Sequence, residues 1–575
     1  MSVVFFSPDH GSWVRYERPA AVFEAHRHDE IPGLLAHLEG EVERTGLHAV
    51  GFLAYEAGSA FDAAMPAAPC TPFPLAWFGL YGPPLTIHLD ATTPAPALAW
   101  TSELNEPSHA GALARIREHL ACGETYQVNF THRLRARFDR DSWALFCRLA
   151  ARQLSPHCAY VDTGDFAVCC ASPEMFFERE GETVRSRPMK GTAPRGRWAG
   201  EDRAMAERLM GSEKERAENV MIVDMVRNDL GRVCRPGSVR APELFRAERY
   251  PTLWQLTSLV EGMTTLPTAE VMAALFPAAS ITGAPKVRTM HLINELEVSP
   301  RRIYTGTIGV MLPGLRARFN VAIRTVLVDR KAGTAEYGVG GGIVWDSAPR
   351  DEYRETLLKA RVLDAPASEF SLLETMRWSR ATGVFLLEEH LSRVAESAEY
   401  FGFRLDVEGL RAEIEAAVRN ADGTGGVLRL TVDAGGSVGL EPRPLPAPWP
   451  CRVALARTPV DSRDPFLFHK TTRRAVYERA RAEVPGMDDA LLVNERGEVT
   501  ESTIANLVVE LDGDLLTPPL ESGLLPGTLR AALLRAGRIR ERVVHVRALS
   551  RCSRMWLINS VRGWRRATLA DRDKS

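Results

Sequence analysis

The chain has 575 residues, 45% of them hydrophobic and 25% charged, and its 71 basic and 73 acidic side chains give a formal net charge of −2. One hydrophobic core cannot serve a chain of this length, so the sequence predicts several modules or two large domains. The balanced charge argues against a protein that binds nucleic acid or a membrane surface, because both need a basic excess on one face.

Two further features bear on the compartment. The start, MSVVFFSPDHGS, carries no basic segment followed by a long apolar one, and no stretch reaches the roughly 18 uninterrupted apolar residues of a spanning helix. The nine cysteines form no Cys-x-x-Cys pair, which argues against a disulfide framework and a thiolate zinc site. We therefore expect a cytoplasmic protein with reduced cysteines.

In chain order, the first informative element is a predicted helix that begins with the capping box Ser212-Glu-Lys-Glu215. Glu215 and Glu218 are three residues apart and share one side of that helix. A second predicted helix repeats the spacing with Glu352 and Glu355. Two facing carboxylate pairs suit a magnesium ion, although the spacing alone favours solvent-exposed charged helix faces.

Strand patterns lie between and beyond these helices. Residues 318–328 alternate so that every second side chain from Phe319 shares one face, which predicts one strand of an antiparallel α+β sheet. Residues 335–344 follow a turn and are predicted to be its hairpin partner. Residues 505–516 carry an Asp-Gly turn between apolar runs, which predicts another hairpin.

The sequence divides near residue 365, where proline and small residues follow a charged helix. We predict a first domain over residues 1–361, a linker over 362–370 and a second domain over 371–575. Residues 441–450 are rich in proline and therefore stiff, so they are predicted to join two lobes of the second domain.

Common catalytic signatures are absent or out of context. The sequence has no G-x-x-x-x-G-K-[ST] loop, and its glycines at 338–342 do not complete G-x-G-x-x-G. Residues 435–439 match the nucleophile-elbow pattern around Ser437, but a proline-rich stretch follows where a helix is needed. A glycine-rich turn is the better interpretation.

Five motifs in the first domain closely resemble the chorismate-utilising synthases, over about residues 1–361. They are Ser172-Pro-Glu174-Met-Phe, Arg187-Pro-Met-Lys190-Gly-Thr, residues 221–231 (MIVDMVRNDLG), Ile281-Thr-Gly-Ala-Pro-Lys286 and Gly340-Gly-Gly-Ile-Val344. Members that make aminodeoxychorismate carry lysine at the position of Lys190, whereas anthranilate synthases carry alanine.

The resemblance implies a role for each matching residue. Glu174 is the implied general acid and base, and Lys190 is the implied nucleophile that bonds to the ring before ammonia displaces it. The four glutamates at 215, 218, 352 and 355 match the magnesium positions. Tyr304, Arg324 and Lys359 match contacts to substrate carboxylates, and the glycines Gly340, Gly341 and Gly342 allow backbone amides to approach the substrate. Asn219 departs from the family, which usually has histidine there.

The second domain resembles the fold-type IV pyridoxal phosphate enzymes over roughly residues 370–570. Four segments carry this resemblance: Phe468-His-Lys470-Thr-Thr-Arg-Arg474, Val499-Thr-Glu501-Ser-Thr-Ile-Ala-Asn506, Leu524-Leu-Pro-Gly-Thr528 and Ile558-Asn-Ser-Val-Arg-Gly563, together with Arg393 in residues 389–398. The last segment looks most like the aminodeoxychorismate lyases. A two-lobed fold is implied.

In this second resemblance, Lys470 bonds to pyridoxal 5'-phosphate and later moves the substrate proton, and Glu501 keeps the pyridine nitrogen protonated. Arg393 pairs with the phosphate, together with backbone amides at Gly527 and Thr528 where a helix begins, and Ser560 adds a contact. The tyrosine or asparagine that follows the lysine in relatives is displaced here, and Tyr477 is the nearest candidate.

Together the two resemblances imply a bifunctional enzyme that aminates chorismate to 4-amino-4-deoxychorismate and then eliminates pyruvate to give 4-aminobenzoate for folate synthesis. A separate glutamine amidotransferase would supply ammonia, and the second domain implies a homodimer. Two alternatives stay open: an anthranilate or isochorismate/salicylate synthase fused to a transaminase-like domain, and a catalytically silent second domain.

Overall fold

We describe a computed structural model of the chain, and the description covers residues 1–9, 11–66, 72–89, 98–363, 370–446 and 451–570. The chain forms two compact units, of which the first comprises Met1–Pro194 and Ala206–Ala367 and the second comprises Arg195–Met205 and Ser368–Ser575. Residues 364–369 of the predicted linker and residues 447–450 of the proline-rich stretch lie outside the described residues.

The first unit contains two antiparallel sheets. The described strands of the first sheet run, in spatial order, Gly283–Ala284, Gln127–Arg137, Thr334–Ile343, Thr325–Asp329, Phe166–Cys170, Ala159–Asp162, Ser2–Ser7, Ser12–Glu17 and Leu85–Ile87, with Thr101–Ser102 beside Gln127–Arg137. Those of the second run Met189–Pro194, Leu253–Met263, Thr183–Arg187, Met175–Glu180, Arg316–Val321, Thr307–Leu312, His48–Leu53, Ala76–Tyr81 and Ala21–Ala25, with Arg240–Arg249 beside Leu253–Met263.

Helices of the first unit cover these sheets. They include Ile31–Thr45, Glu106–Ala121, Ser142–Gln153, Glu213–Gly231, Thr268–Leu275, Lys286–Leu296 and Pro349–Ala360. The largest hydrophobic cluster buries Val3 and Val168 of the first sheet together with Val50 and Phe319 of the second. The two sheets therefore share one core, as expected for faces that alternate apolar and polar residues.

Residues 318–328 do not form one strand, so that prediction was wrong. Arg316–Val321 lies in the second sheet, whereas Thr325–Asp329 lies in the first. Arg324 lies between them with a φ of 51°, in the left-handed region that redirects the chain. The predicted hairpin partner is correct, because Val326 pairs with Tyr337 in the neighbouring antiparallel strand.

The second unit has two lobes, each with its own sheet. In the described residues, the smaller sheet has the order Gly383–Val384, Leu372–Ser379, Gly425–Val432 and Val438–Arg443, with helices Leu387–Phe401 and Val407–Asn420. The larger has the order Val499–Ser502, Asp489–Val493, Cys451–Leu455, Gly563–Leu569, Arg554–Asn559, Asn506–Leu511, Asp514–Thr517 and Arg540–Glu541, with helices Ala475–Ala482 and Thr528–Arg535.

Several local predictions for the second unit hold. The Asp-Gly hairpin forms, with Asp512 and Gly513 at φ 55° and 87° between Asn506–Leu511 and Asp514–Thr517. Ser437 lies in an exposed turn just before the strand Val438–Arg443, consistent with the glycine-rich turn. The α+β class predicted for both domains is confirmed, including the antiparallel sheets of the first and the two lobes of the second.

The second unit also takes in the segment Arg195–Met205, which the sequence places within the first domain. The Arg195 guanidinium binds both carboxylate oxygens of buried Asp202 and donates to the Tyr400 carbonyl. The Tyr400 hydroxyl donates in return to the Gly196 carbonyl at 2.8 Å. These mutual bonds explain why the segment packs with the second unit.

Two observations concern possible membrane helices and the cysteines. Among the described residues, no helix combines the length and apolar character needed to cross a membrane. The described cysteines are all free, and six of the eight are buried. Burial of a free thiol is ordinary packing for this small apolar side chain.

Candidate active sites

The first unit contains a cavity of about 210 Å³ that collects nearly all the residues predicted for the first site. It is lined by Glu174, Lys190, Glu215, Glu218, Tyr304, Arg324, Gly340, Gly342, Glu352, Glu355 and Lys359. Gly341 is not in the lining; a Cβ atom at that residue would lie 3.2 Å from a Glu352 carboxylate oxygen. Residues that are far apart in the sequence therefore meet at one place.

Glu174 occupies a buried position just before the strand Met175–Glu180. Its Oε1 atom accepts a hydrogen bond from the Ser280 hydroxyl at 2.7 Å. Burial raises the pKa of Glu174 to about 7, and the Ser280 hydrogen bond opposes that rise because it favours the charged form. A carboxyl group with this pKa is suited to give and take protons near neutral pH.

Lys190 projects from the strand Met189–Pro194 into the cavity, where its Nζ atom lies 3.3 Å from a Glu218 oxygen. A Cβ atom on Gly342 would lie 2.3 Å from this Nζ atom, so the absence of a side chain there makes room for the lysine. Asn219 donates to the Lys190 carbonyl at 3.1 Å and accepts from the Ser258 hydroxyl at 2.6 Å. The asparagine that departs from the family pattern thus holds the backbone of the lysine.

The four glutamates face the cavity in two pairs from the helices Glu213–Gly231 and Pro349–Ala360. Burial raises the pKa of Glu215, and the charge of Glu218 adds to that rise. Burial likewise raises the pKa of Glu352, with a contribution from Glu355. Glu355 differs because the Lys359 ammonium, 2.8 Å away, lowers its pKa.

These carboxylates have the chemistry of a site for a divalent cation, because their oxygen atoms are hard donors. A cation between them would also relieve their mutual repulsion. Among the described residues, no group of three acidic, histidine or cysteine side chains is already close enough to hold one ion. Lysines lie between the carboxylates instead, as the ion pairs Lys190–Glu218 and Lys359–Glu355 show. A cation at this place would replace those lysine contacts.

The three residues predicted to contact substrate carboxylates also border the cavity. Arg324 is buried and donates to the Gln153 side-chain oxygen at 2.5 Å. Tyr304 is buried, and burial raises its pKa to about 12, so the hydroxyl stays protonated and can donate. Lys359 donates to the Gly340 carbonyl at 2.8 Å. Two cationic groups and one hydroxyl can therefore face an anionic ligand.

Sequence reasoning missed Ser280 and Gln127. Gln127 is fully buried, and neither of its side-chain amide atoms has a hydrogen-bond partner in the part of the chain that the structure describes. A Cβ atom placed on Gly342 would lie 2.7 Å from the Gln127 Nε2 atom. The Lys190 ammonium approaches Gly342 at the same position. No local pattern indicates this residue, because its nearness to Lys190 depends on strand pairing.

The second unit contains a larger cavity, of about 350 Å³, that collects every residue predicted for the second site. It is lined by Arg393, Lys470, Glu501, Gly527, Thr528 and Ser560. Lys470 lies in the segment that precedes the helix beginning at Ala475. Burial lowers the pKa of Lys470 to about 8, and the nearby Arg393 charge contributes.

Glu501 is buried opposite this lysine and accepts three hydrogen bonds. The Tyr477 hydroxyl and the Leu525 amide reach Oε1 at 2.9 and 3.1 Å, and the Asn506 amide reaches Oε2 at 3.1 Å. Burial raises the pKa of Glu501 to about 7, while the Leu525 and Tyr477 bonds oppose the rise. Tyr477, the candidate left open by the sequence, therefore contacts Glu501.

Arg393 is held by a partner that the sequence did not indicate. Its guanidinium binds both oxygens of Glu374, at 2.7 and 2.6 Å, and His390 binds the same carboxylate at 2.7 Å. Arg393 and His390 hold the pKa of buried Glu374 well below its usual range, although burial alone would raise it. The glutamate fixes the orientation of the guanidinium at the cavity wall.

Gly527 precedes the helix Thr528–Arg535, and both Gly527 and Thr528 line the cavity at the start of this helix. A Cβ atom on Gly527 would lie 1.9 Å from the Asn506 side-chain oxygen, so only glycine fits. A helix N-terminus, an oriented arginine, a lysine of lowered pKa and a buried carboxylate together suit a pyridine cofactor that carries a phosphate.

Comparisons with known proteins match the two parts of the chain to two different families. A family model described as chorismate binding enzyme matches residues 86–364, and one described as amino-transferase class IV matches residues 371–570. Aminodeoxychorismate synthase component 1 of Bacillus subtilis is 38% identical over 284 residues, which cover 49% of this chain and 60% of that protein. Anthranilate synthase component 1 of Streptomyces coelicolor is 39% identical over 280 residues, which cover 48% of this chain and 54% of that protein.

Among solved structures, anthranilate synthase component I from Streptococcus pneumoniae is 24% identical, with a TM-score of 0.51. The match covers 63% of this chain and 90% of that one, and it shows a likeness in fold. This chain spans 60% or less of the length of the two curated relatives above.

Proposed function

We propose that the chain makes 4-aminobenzoate from chorismate in two steps, because residues 86–364 match the chorismate binding enzymes and residues 371–570 match the class IV amino-transferases. The first step exchanges the ring hydroxyl of chorismate for an amino group and releases water. The second cleaves the enolpyruvyl ether and releases pyruvate, which leaves the aromatic ring. The product of the first step is the substrate of the second.

One observation carries the proposal. Lys190 projects into the first cavity, beside Gly342 and 3.3 Å from Glu218, where a ring substrate held by Arg324 and Lys359 would meet it. A relative named aminodeoxychorismate synthase component 1 matches this region at 38% identity. An amine in this position can bond to the ring that loses its hydroxyl.

In the first step, Glu174 donates its proton to the departing hydroxyl, because hydroxide is a poor leaving group. The pKa of about 7 keeps a protonated fraction of this carboxyl available at neutral pH. Lys190 attacks the ring carbon, and ammonia then displaces the lysine to give the amino compound. Arg324 binds a substrate carboxylate, for which a guanidinium has the matching geometry.

We further propose that Glu215, Glu218, Glu352 and Glu355 hold magnesium near the substrate. A divalent cation at this place would polarise a substrate carboxylate and stabilise the negative charge that develops in the reaction. The supporting observation is that four half-buried carboxylates face one cavity from two helices, and that the pKa values of Glu215 and Glu352 are raised partly by the neighbouring carboxylates.

In the second step, pyridoxal phosphate, when bound, withdraws electrons from the carbon that loses its proton. Lys470 moves that proton with its Nζ atom, for which a pKa of about 8 is suitable. Glu501 would hold the pyridine nitrogen in its protonated form. The phosphate would be bound by Arg393, the backbone amides of Gly527 and Thr528 and the Ser560 hydroxyl, all of which line the cavity.

The ammonia would come from a separate glutamine amidotransferase subunit. Free ammonium would replace that source in an assay of the purified protein. The name of the relative, component 1, supports a second component. The competing function is anthranilate synthesis, which the match to an anthranilate synthase at 39% identity favours. Lys190 favours amination at the other ring position, since anthranilate synthases resemble this chain but carry alanine there.

The test uses the full chain, loaded with pyridoxal phosphate, and supplies chorismate, ammonium and magnesium. We expect 4-aminobenzoate and pyruvate in equal amounts. Anthranilate with pyruvate would contradict the proposal for the first step. Accumulation of the amino-substituted dienol acid alone would contradict the proposal for the second.

A further inference from the structure

The wall of the second cavity is strongly cationic. Besides Lys470, its lining contains Arg393, Arg429, Arg443, Arg473, Arg474 and Arg562, and the one acidic residue in the described lining is Glu501. A wall with this many cations favours a ligand with several negative charges.

Several of these arginines are already engaged. Arg393 binds Glu374, Arg443 binds Glu441 at 2.7 and 2.9 Å, and Arg474 donates to the Thr503 carbonyl. Arg429 lies opposite Glu441 in the strand register and its charge helps to lower the pKa of that carboxylate, which pairs with Arg443. Within the described residues Arg429 has no ion pair of its own, so it is available on the wall that the smaller sheet contributes.

Arg473 is the clearest case of an available cation. Its side chain is exposed at the cavity, and within the described residues no hydrogen bond or ion pair involves its guanidinium. The guanidinium lies 4.3 Å from the centre of the Phe466 ring. Phe466 in turn packs against Phe370 and Phe401 at ring distances of 5.1 and 5.4 Å.

Stacking fixes the plane of a guanidinium while its N–H groups stay free at the edge. A guanidinium fixed in this way is prepared for a bidentate pair with a carboxylate, and less side-chain entropy is lost on binding. Arg473 and Lys470 line the same cavity, so a ligand that reacts at Lys470 is within the space that Arg473 borders.

We propose that Arg473 and Arg429 bind the two carboxylates of the substrate, and that this pair makes the second site selective for dicarboxylates over ordinary amino acids. The inference rests on the proposed function, whose intermediate carries one carboxylate on the ring and one on the enolpyruvyl group. Arg473 is the residue that decides the selectivity, because its guanidinium has no internal acidic partner in the described chain.

The experiment compares Arg473→Gln, Arg473→Lys and Arg429→Gln with the unaltered protein, all loaded with pyridoxal phosphate. For the purified amino-substituted dienol acid we expect Arg473→Gln to lower kcat/KM by about 10- to 100-fold, mainly through KM, as for a lost bidentate pair. Arg473→Lys should recover part of this loss, and Arg429→Gln should cost less. Slow transamination of alanine, which has one carboxylate, should change by less than about threefold.

Binding supplies a second measurement that needs no turnover. Calorimetry with isophthalate and benzoate, rings with two carboxylates and one, should show that Arg473→Gln weakens isophthalate binding about 10-fold or more and leaves benzoate within about threefold. Arg479→Gln, on the exposed side of the next helix, is the matched control and should change neither.

The outcomes separate two failures. An unaltered protein that releases no pyruvate from the dienol acid contradicts the proposed function, while the isophthalate comparison still decides the dicarboxylate selectivity. An active protein whose Arg473→Gln form treats both acids as before overturns the inference alone. Equal losses for isophthalate and benzoate would also overturn it, because they would indicate a general structural effect.

Discussion

In each cavity the proposed chemistry rests on one lysine and one buried glutamate, yet the charges around these two lysines are opposite. Lys190 lies among carboxylates and forms an ion pair with Glu218. Lys470 lies beside Arg393 and Arg474, which together with burial lower its pKa to about 8. The carboxylates of the first cavity favour positive charge, as the proposed magnesium site requires, whereas the second environment favours the neutral amine that accepts a proton.

Glu174 and Glu501 have similar pKa values but different hydrogen-bond partners, which suggests different roles. Burial raises the pKa of both Glu174 and Glu501 to about 7. Glu174 receives one side-chain hydrogen bond, from Ser280, which leaves carboxylate oxygen available to a reactant. Glu501 receives bonds from Tyr477, Leu525 and Asn506, which fix it in place. We infer that the first works as a proton donor and the second as a fixed anion.

The largest expected effect comes from Lys470→Ala. We expect pyruvate release to fall by a factor of about 10² to 10⁴, the contribution of a positioned proton-transfer group, while chorismate amination continues. The amino-substituted dienol acid should therefore accumulate, as measured by chromatography. Lys331→Ala is the control, since Lys331 is exposed and paired with Asp165. Equal loss of both reactions would show that the two lysines do not serve separate steps.

The reciprocal change is Lys190→Ala. Amination should slow about 100-fold, which corresponds to about 2.7 kcal/mol of activation free energy, because the ring loses its covalent partner. Pyruvate release from supplied dienol acid should stay normal. Product analysis decides the alternative: anthranilate formed at the rate of the unaltered enzyme would assign the first cavity to anthranilate synthesis.

A smaller effect is expected for Ser280→Ala. The Ser280 hydroxyl favours ionised Glu174, so its loss should raise the pKa of Glu174 further, by about one unit for a bond of 1 to 2 kcal/mol. A proton donor is active below its pKa, and the alkaline limb of the amination profile should therefore move to higher pH. Ser437→Ala, in the exposed turn, is the control. An unmoved limb would mean that Glu174 is not the donor.

The sequence predicted the site residues that local spacing or a resemblance to known motifs indicates. Glu215 and Glu218 share a helix that begins at a capping serine, and the structure places both on the first cavity. Gly527 and Thr528 mark a helix start that the sequence also predicted. In these cases the determining interactions are within a few residues of one another.

Residues that act through distant partners were not predicted. Ser280 lies 106 residues from Glu174, and Glu374 lies 19 residues before the arginine that it orients. The strand that alternation alone would extend ends at Val321, and the left-handed backbone at Arg324 sends the chain into the other sheet. Strand pairing and crossing between sheets decide these contacts, and neither has a local signature.

Tyr477→Phe is the most sensitive test of the contrast between the two glutamates. The Tyr477 hydroxyl lowers the pKa of Glu501, so its removal should raise that pKa, as Ser280→Ala does for Glu174. The consequence for activity is opposite, because Glu501 works as an anion: pyruvate release near neutral pH should fall about 3- to 10-fold and recover as the pH rises. Retained Leu525 and Asn506 bonds should keep the carboxylate in place.

The measurement is the pH profile of the second step alone. The control is Tyr126→Phe, a change at an exposed tyrosine of the first unit. A loss that does not recover at high pH would assign Tyr477 a role in packing and remove the reason for treating Glu501 as a fixed anion.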